Sequence, residues 1–240
     1  MFTEERRTEL VKLVSDRLIR ARKYLDESKA IRKSEDILVE AELPGYENKP
    51  LRFGQFESKE YVVMMTDIRK STDIINGVNG TEDMFMIFYA YSALVANIVD
   101  KYKGTSTEFL GDGVLCLFDV DSGRDNALRN ALNASRELFE ARVGILNPAL
   151  MVYSVPQISF GIGIDYGPTI VTRFGDKTDN DLKAFGKCVY NVSRLCKGEN
   201  VALISEEAQA VWPSSAGGTL EFEYKILPTG SKGYKPFNRA

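Results

Sequence analysis

A run of β-favouring apolar residues, Tyr61-Val62-Val63-Met64-Met65, stops at an acid, Asp67, with Arg69, Lys70, Ser71 and Thr72 following at once. Such a run describes a buried strand. A carboxylate delivered to the tip of that strand, beside cations and hydroxyls, suits a site for metal and phosphate. Capping of the next helix by Asp67 or Ser71 accounts for the same residues.

A second stretch, Glu108 to Phe118, sharpens the choice. Two β-type runs flank Gly111-Asp112-Gly113, which reads as a tight hairpin. Glycines on both sides of Asp112 let backbone and ligand approach closely. A strand, a helical layer, this hairpin, then helix, strand and helix predict an α+β fold. It is of the ferredoxin-like, split βαβ type, with an antiparallel-rich sheet and helices packed against it. In that order the first strand and the hairpin are sheet neighbours, so Asp67 and Asp112 converge.

The rest of the chain fills this outline. Residues 3 to about 40 are charged and helical in pattern, with Val14, Leu18, Ala21, Leu25 and Ser28 on one face. That narrow stripe fits a helix lying on its own domain or one packed on a partner chain. Leu43-Pro44-Gly45 to Pro50 reads as a linker, giving residues 1–50 as a helical extension and 51–240 as the catalytic domain. A helix from Thr81 to about Tyr102 presents Phe85, Phe88, Tyr89, Leu94, Val95 and Ile98 as its apolar face. A further helix over 123–143 is followed by a loop containing Pro148 and Pro156. Strands over 157–165 and 169–174 are separated by a turn at Tyr166-Gly167-Pro168. An exposed loop over 175–181, a helix over 186–197, a strand over 201–204, a short helix over 206–211 and a strand over 220–226 close the domain.

Composition narrows the chemistry. The 240 residues contain no histidine, which removes Ser-His-Asp hydrolysis, Cys-His chemistry and His-ligated zinc. The three cysteines, Cys116, Cys188 and Cys196, form no CxxC pair, and a reducing cytoplasm fits them. A formal net charge of −3 argues against a nucleic-acid partner, and no apolar run approaches a membrane span. Carboxylates, metal ions, Lys and Arg are left to do the work. Two carboxylates plus a backbone carbonyl suit Mg²⁺ or Mn²⁺, with substrate phosphates completing the shell.

Four motifs in order resemble the class III nucleotidyl cyclases over about Glu60 to Gly233: V-V-M-M-T-D-I-R-K-S-T, E-F-L-G-D-G-V-L-C-L-F, S-F-G-I-G-I-D-Y-G-P-T-I-V and F-G-K-C-V-Y-N-V-S-R-L. The resemblance implies that Asp67, Asp112 and the Ile68 carbonyl hold two Mg²⁺ or Mn²⁺ ions, with Ser71 and Thr72 at the substrate. It implies that Arg194 stabilises the charged transition state and that Lys232 meets the terminal phosphates. It also implies a head-to-tail homodimer with composite sites, one chain supplying the metals and the other the base contacts, Arg194 and Lys232.

Three positions depart from the usual purine patterns. Glu108 stands where adenylate cyclases carry Lys and guanylate cyclases Glu. Lys183 stands where these carry Asp or Cys respectively, and Tyr190 replaces the ribose-binding Asn, with Asn191 out of register by one. Glu108 offers acceptors and Lys183 donors, the reverse of what adenine wants. Guanine, uracil and cytosine can all pair with that arrangement, and the bulk of Tyr190 favours a pyrimidine. The combination resembles the bacterial pyrimidine cyclases of Pycsar antiphage defence. That implies a cytoplasmic enzyme converting UTP, or CTP, to its 3′,5′-cyclic monophosphate and pyrophosphate. A guanylate or adenylate cyclase and a non-catalytic nucleotide-binding or dimerisation module remain the alternatives.

Overall fold

The computed structural model describes residues 2–27, 56–175, 180–213 and 218–239. Strand β1 (Phe56–Ile68) lies inside an eight-stranded sheet. It pairs antiparallel with β3 (Gly113–Asp119) on one side and β4 (Phe160–Gly175) on the other. Tyr61 to Met64 are completely buried, as a strand covered on both edges and both faces demands. β2 (Gly104–Leu110) forms the hairpin with β3. Beyond β4 come β6 (Ala202–Ile204), β8 (Lys232–Asn238) and β7 (Leu220–Ile226), while β5 (Asn180–Phe185) also pairs with β4. Only the β4–β6 pairing is parallel among these ladders, so the antiparallel-rich α+β expectation holds.

Several local expectations are corrected. Tyr166-Gly167-Pro168 is not a turn: β4 runs straight through it, opposite Glu60 to Val62. Proline survives there because β6 covers β4 at Ile162–Ile164 and β5 from Ile170 onward. No ladder among the described residues asks Pro168 for an N–H on that side. β5 begins at the end of the loop expected over 175–181, of which 176–179 lie outside the described residues, and β8 is a strand where no element was expected. Pro148 lies within helix: α4 (Arg124–Ala141) passes through a π-helical turn (Arg142–Leu146) into α5 (Asn147–Val152), and Pro148 sits in that first turn, where its missing N–H costs least.

The chain divides into two compact units. One comprises residues 1–40, 70–98 and 136–159 and is helical. In it α1 (Glu4–Glu27) buries Leu10, Val14, Leu18 and Ala21 completely. It packs beside the π-turn and α5, with Arg6 paired to Glu137 at 2.9 Å and Arg17 donating to the Tyr89 hydroxyl at 3.4 Å. The α1 stripe is therefore closed within its own chain, not left open as a partner seam. Ser28, the rest of the expected helix and the linker near residue 50 lie outside the described residues. α3 (Gly80–Lys101) buries Met86, Ile87, Ala90, Tyr91, Leu94, Val95 and Ile98. The aromatics expected on this face instead flank it: Phe85 is 39% exposed and stacks on Tyr89, and Phe88 and Tyr89 are half-buried. α3 is long and apolar enough by composition to cross a bilayer, and it spends that apolar surface in the protein interior.

The second unit, 41–69, 99–135 and 160–240, holds the sheet together with α6 (Lys187–Leu195) and α7 (Glu206–Ala210), both packed on β4. Close approach explains Gly163 of the G-I-G-I motif: a Cβ there would lie 2.5 Å from the Val192 carbonyl of α6.

Candidate active site

The β1–β3 register sets Asp67 opposite Gly113, and the Ile68 N–H donates to the Asp112 carbonyl at 3.3 Å. The two acids expected to converge are thus on adjacent backbone. Gly111 holds a left-handed φ of 65°, and a Cβ on Gly113 would lie 3.0 Å from the Thr66 carbonyl, so both positions favour glycine. Asp67 is 3% exposed and Asp112 half-buried. Among the described residues no three His, Cys, Asp or Glu side chains gather. Two carboxylates with a backbone carbonyl nearby are a hard-oxygen donor set that fits Mg²⁺ or Mn²⁺, with water or substrate phosphates supplying the further ligands.

Asp67 does not stand alone. The Arg69 guanidinium contacts its carboxylate, and Lys197 Nζ lies 3.0 Å from Oδ2. Arg69 is also tied to backbone, through Nε to the Asp67 carbonyl at 3.3 Å and Nη1 to the Lys197 carbonyl at 3.5 Å. Lys197 escaped the sequence analysis because nothing in its spacing from Arg194 points to β1; only the close approach of the segment after α6 to the sheet brings it there. Helix capping does not account for Asp67 or Ser71. Helix α2 (Ser71–Ile75) has Lys70 as its N-cap, in a left-handed conformation at φ 58° and without a side-chain cap. Ser71 is half-buried and Thr72 exposed at its start.

Glu108 and Lys183 form a second group. A bulge after Ser106 turns Glu108 inward, where it is 6% exposed. One carboxylate oxygen accepts from the Ala184 N–H at 2.6 Å, and the other lies 3.3 Å from Lys183 Nζ. The two residues singled out for base selection are ion-paired across β2 and β5, although β5 itself was not foreseen.

The third group is a cleft of about 290 Å³ lined by Asn191, Arg194, Ser205, Glu206, Glu207 and Lys232, among others. Arg194, exposed in the last turn of α6, donates to the Tyr190 hydroxyl at 3.0 Å and lies 5.7 Å from its ring centre. Tyr190 is 59% exposed. Lys232 opens β8 and shares the cleft with Arg194, instead of standing in a solvated loop. Asn191 does reach the cleft, but its Nδ2 is committed to Asp165 at 2.8 Å.

Asp165 is the polar residue that sequence reasoning passed over. It is 1% exposed and accepts from Asn191, from the Tyr166 N–H at 2.7 Å and from the Ser205 hydroxyl, which also caps α7. Burial pushes its carboxyl above the usual range, against the pull of these three donors. An acid continuing the apolar run Gly161 to Ile164 was the available signal. Among the described residues no hydrogen bond or ion pair joins the acid pair, the Glu108–Lys183 pair and the cleft.

Comparison with known proteins agrees with this geometry at the level of fold. The chain resembles the guanylyl cyclase Cya2 with a TM-score of 0.64 at 18% identity, covering 77% of this chain and 94% of that one. It resembles the adenylyl cyclase CyaB from P. aeruginosa with a TM-score of 0.63 at 20% identity, over 78% and 97% of the two chains. In sequence it is 26% identical over 160 residues to an adenylate cyclase of Anabaena cylindrica, over 63% of this chain and 29% of that one. No protein-family model matches. The chain spans about a quarter of the length of the first curated relatives it matches. The fold is that of class III nucleotidyl cyclase catalytic domains, preceded by an N-terminal helix.

Proposed function

We propose that this chain is a nucleotide cyclase acting on a pyrimidine triphosphate, UTP before CTP, within a head-to-tail homodimer. The observation that carries the cyclase reading is the pairing of Asp67 with the Gly113 end of the Asp112 hairpin. Asp67, Asp112 and the Ile68 carbonyl would hold two divalent ions. Bound there, the ions would polarise the α-phosphoryl group and lower the pKa of the ribose 3′-hydroxyl. Arg194 and Lys232 share one cleft and would meet the negative charge that develops on the phosphates. The 3′-oxygen bonds to the α-phosphorus, the bond to the β-bridging oxygen breaks, pyrophosphate leaves and the hydroxyl proton passes to solvent. Nothing in that sequence asks for histidine.

Two features support composite sites. Among the described residues no hydrogen bond or ion pair links the acid pair to the cleft that holds Arg194 and Lys232, and exposed apolar side chains border the Glu108–Lys183 pair: Phe109 at 54%, Phe185 at 50% and Ile170 at 43%. The pyrimidine choice rests on Glu108 and Lys183, an acceptor and a donor already in register with one another. Uracil satisfies both without protonation, through N3–H and a carbonyl. Localisation in the cytoplasm and a role in antiphage signalling follow from the same resemblance and belong to this proposal.

A purine cyclase is the second reading, favoured by the adenylyl and guanylyl cyclases among the similar structures. Incubating the full chain with each of ATP, GTP, CTP and UTP in the presence of Mn²⁺ separates the two. Cyclic UMP or cyclic CMP is the expected product; conversion of purines alone sinks the pyrimidine reading. No turnover of any triphosphate leaves a nucleotide-binding module.

A further inference from the structure

Lys197 has no part in the scheme above, yet it touches the group on which that scheme depends. Its Nζ lies 3.0 Å from Asp67 Oδ2. The pair is asymmetric: the Lys197 side chain is 39% exposed and that of Asp67 4%. The acid is fixed near the end of the buried half of β1, residues 61–68, whereas the cation sits on a flexible four-carbon stem at the surface. Arg69, the other cation on Asp67, is held by two backbone carbonyls, that of Asp67 and that of Lys197, as well as by the carboxylate. Lys197 Nζ has Asp67 as its ion-pair partner and no comparable second anchor among the described residues.

We propose that Lys197 is an exchangeable counter-cation for Asp67, competing with the divalent ion for the same carboxylate. The proposal rests on the reading of Asp67 as a metal ligand. A buried carboxylate without a cation is costly, and Lys197 and Arg69 together remove that cost. A divalent ion arriving at Oδ2 would meet an ammonium within about 4 Å, and the two positive charges repel. Arg69 Nη2 contacts the same oxygen, but backbone hydrogen bonds of 3.3 and 3.5 Å tether its guanidinium, so Lys197 is the group that yields first. Metal affinity in the free protein is thereby held down.

The test is equilibrium Mn²⁺ binding to the full chain without nucleotide, read as free Mn²⁺ by electron paramagnetic resonance. Lys197→Met is expected to bind Mn²⁺ about tenfold more tightly than the unsubstituted chain, the scale of one unit charge beside a divalent ion in a half-exposed site. Lys197→Arg keeps the charge and is expected to stay within about twofold of the unsubstituted chain. Lys197→Gln should follow Lys197→Met, so the comparison survives if one variant folds poorly. Unchanged or weaker Mn²⁺ binding in both neutral variants overturns the proposal. Asp67→Asn separates the two levels: it should abolish the binding, and Mn²⁺ affinity that survives it overturns the metal site itself, not merely the role of Lys197.

Discussion

At the tip of β1 a carboxylate that is 3% exposed is already met by two cations of its own chain. At α6 the situation is reversed: an exposed guanidinium, Arg194, leans on a neutral phenol, and Lys232 across the cleft is likewise exposed. One region is buried, its acid already paired; the other is open, with Arg194 and Lys232 sharing the cleft with Glu206 and Glu207. In the homodimer proposed above, the acids of one copy would face Arg194 and Lys232 of another.

The strongest way to break that comparison is to disable each region in a different copy. Asp67→Asn and Asp112→Asn should each lower cyclisation at least about a hundredfold, because they remove a metal ligand. Arg194→Ala should lose about as much by removing a charge contact made in the transition state. Mixing Asp67→Asn with Arg194→Ala chains should then restore measurable turnover, since a heterodimer keeps one site with both halves intact. Two inactive variants that stay inactive when mixed, while still exchanging subunits, would place acids and cations in one chain's site after all.

The Glu108–Lys183 pair lies between these extremes, buried on its acid side and half-exposed on its lysine side. Glu108→Gln keeps the shape and the Ala184 contact but loses the charge that holds Lys183. About a tenfold fall in kcat/KM for the preferred triphosphate is expected, with the pyrimidine-to-purine ratio falling as well. Measured kcat/KM values for the four triphosphates decide it. A uniform fall across all four would make the pair a structural brace between β2 and β5 instead of a base reader.

The contrast between regions also explains what the sequence could disclose. Asp67 and Asp112 were legible because each is local: an apolar run announces its strand, and Gly-Asp-Gly announces its hairpin. Antiparallel pairing of the two follows from connectivity. Lys197 and Asp165 were not legible because their roles come from the close approach of α6 and the segment after it to β4, which depends on Gly163 and on packing, not on periodicity. β5 and β8 escaped for a similar reason: Asn-Asp-Leu-Lys-Ala-Phe and Lys-Gly-Tyr-Lys-Pro-Phe-Asn carry weak strand propensity, and their ladders with β4 and β7 decide the conformation. Resemblance identified Arg194 and Lys232, yet only the fold shows that they share a cleft. In α3 the later part of the expected face holds, with Leu94, Val95 and Ile98 buried, whereas Phe85 is exposed and Phe88 and Tyr89 are half-buried.

The smallest effect lies beneath the open region, at Asp165. Asp165→Asn replaces a carboxylate that accepts from Tyr166, Asn191 and Ser205 by an amide with one acceptor and an unwanted N–H. The expected loss is about 1 kcal/mol, read from urea denaturation. Its pH dependence has a definite sign. Burial, reinforced by Glu207, raises the folded carboxyl above its ordinary 3.8. Between that value and the folded one, the native chain therefore binds more protons than the unfolded chain. Stability contributed at this position falls as pH rises through that window, then levels off. The asparagine variant has no such window, so its deficit against the unsubstituted chain should be largest in acid and shrink as pH rises past the folded value. A deficit that instead grows with pH would mean that the three donors outweigh burial and hold Asp165 ionised. The floor of the cleft would then be anionic like the tip of β1, and the contrast between the two regions would rest on exposure alone.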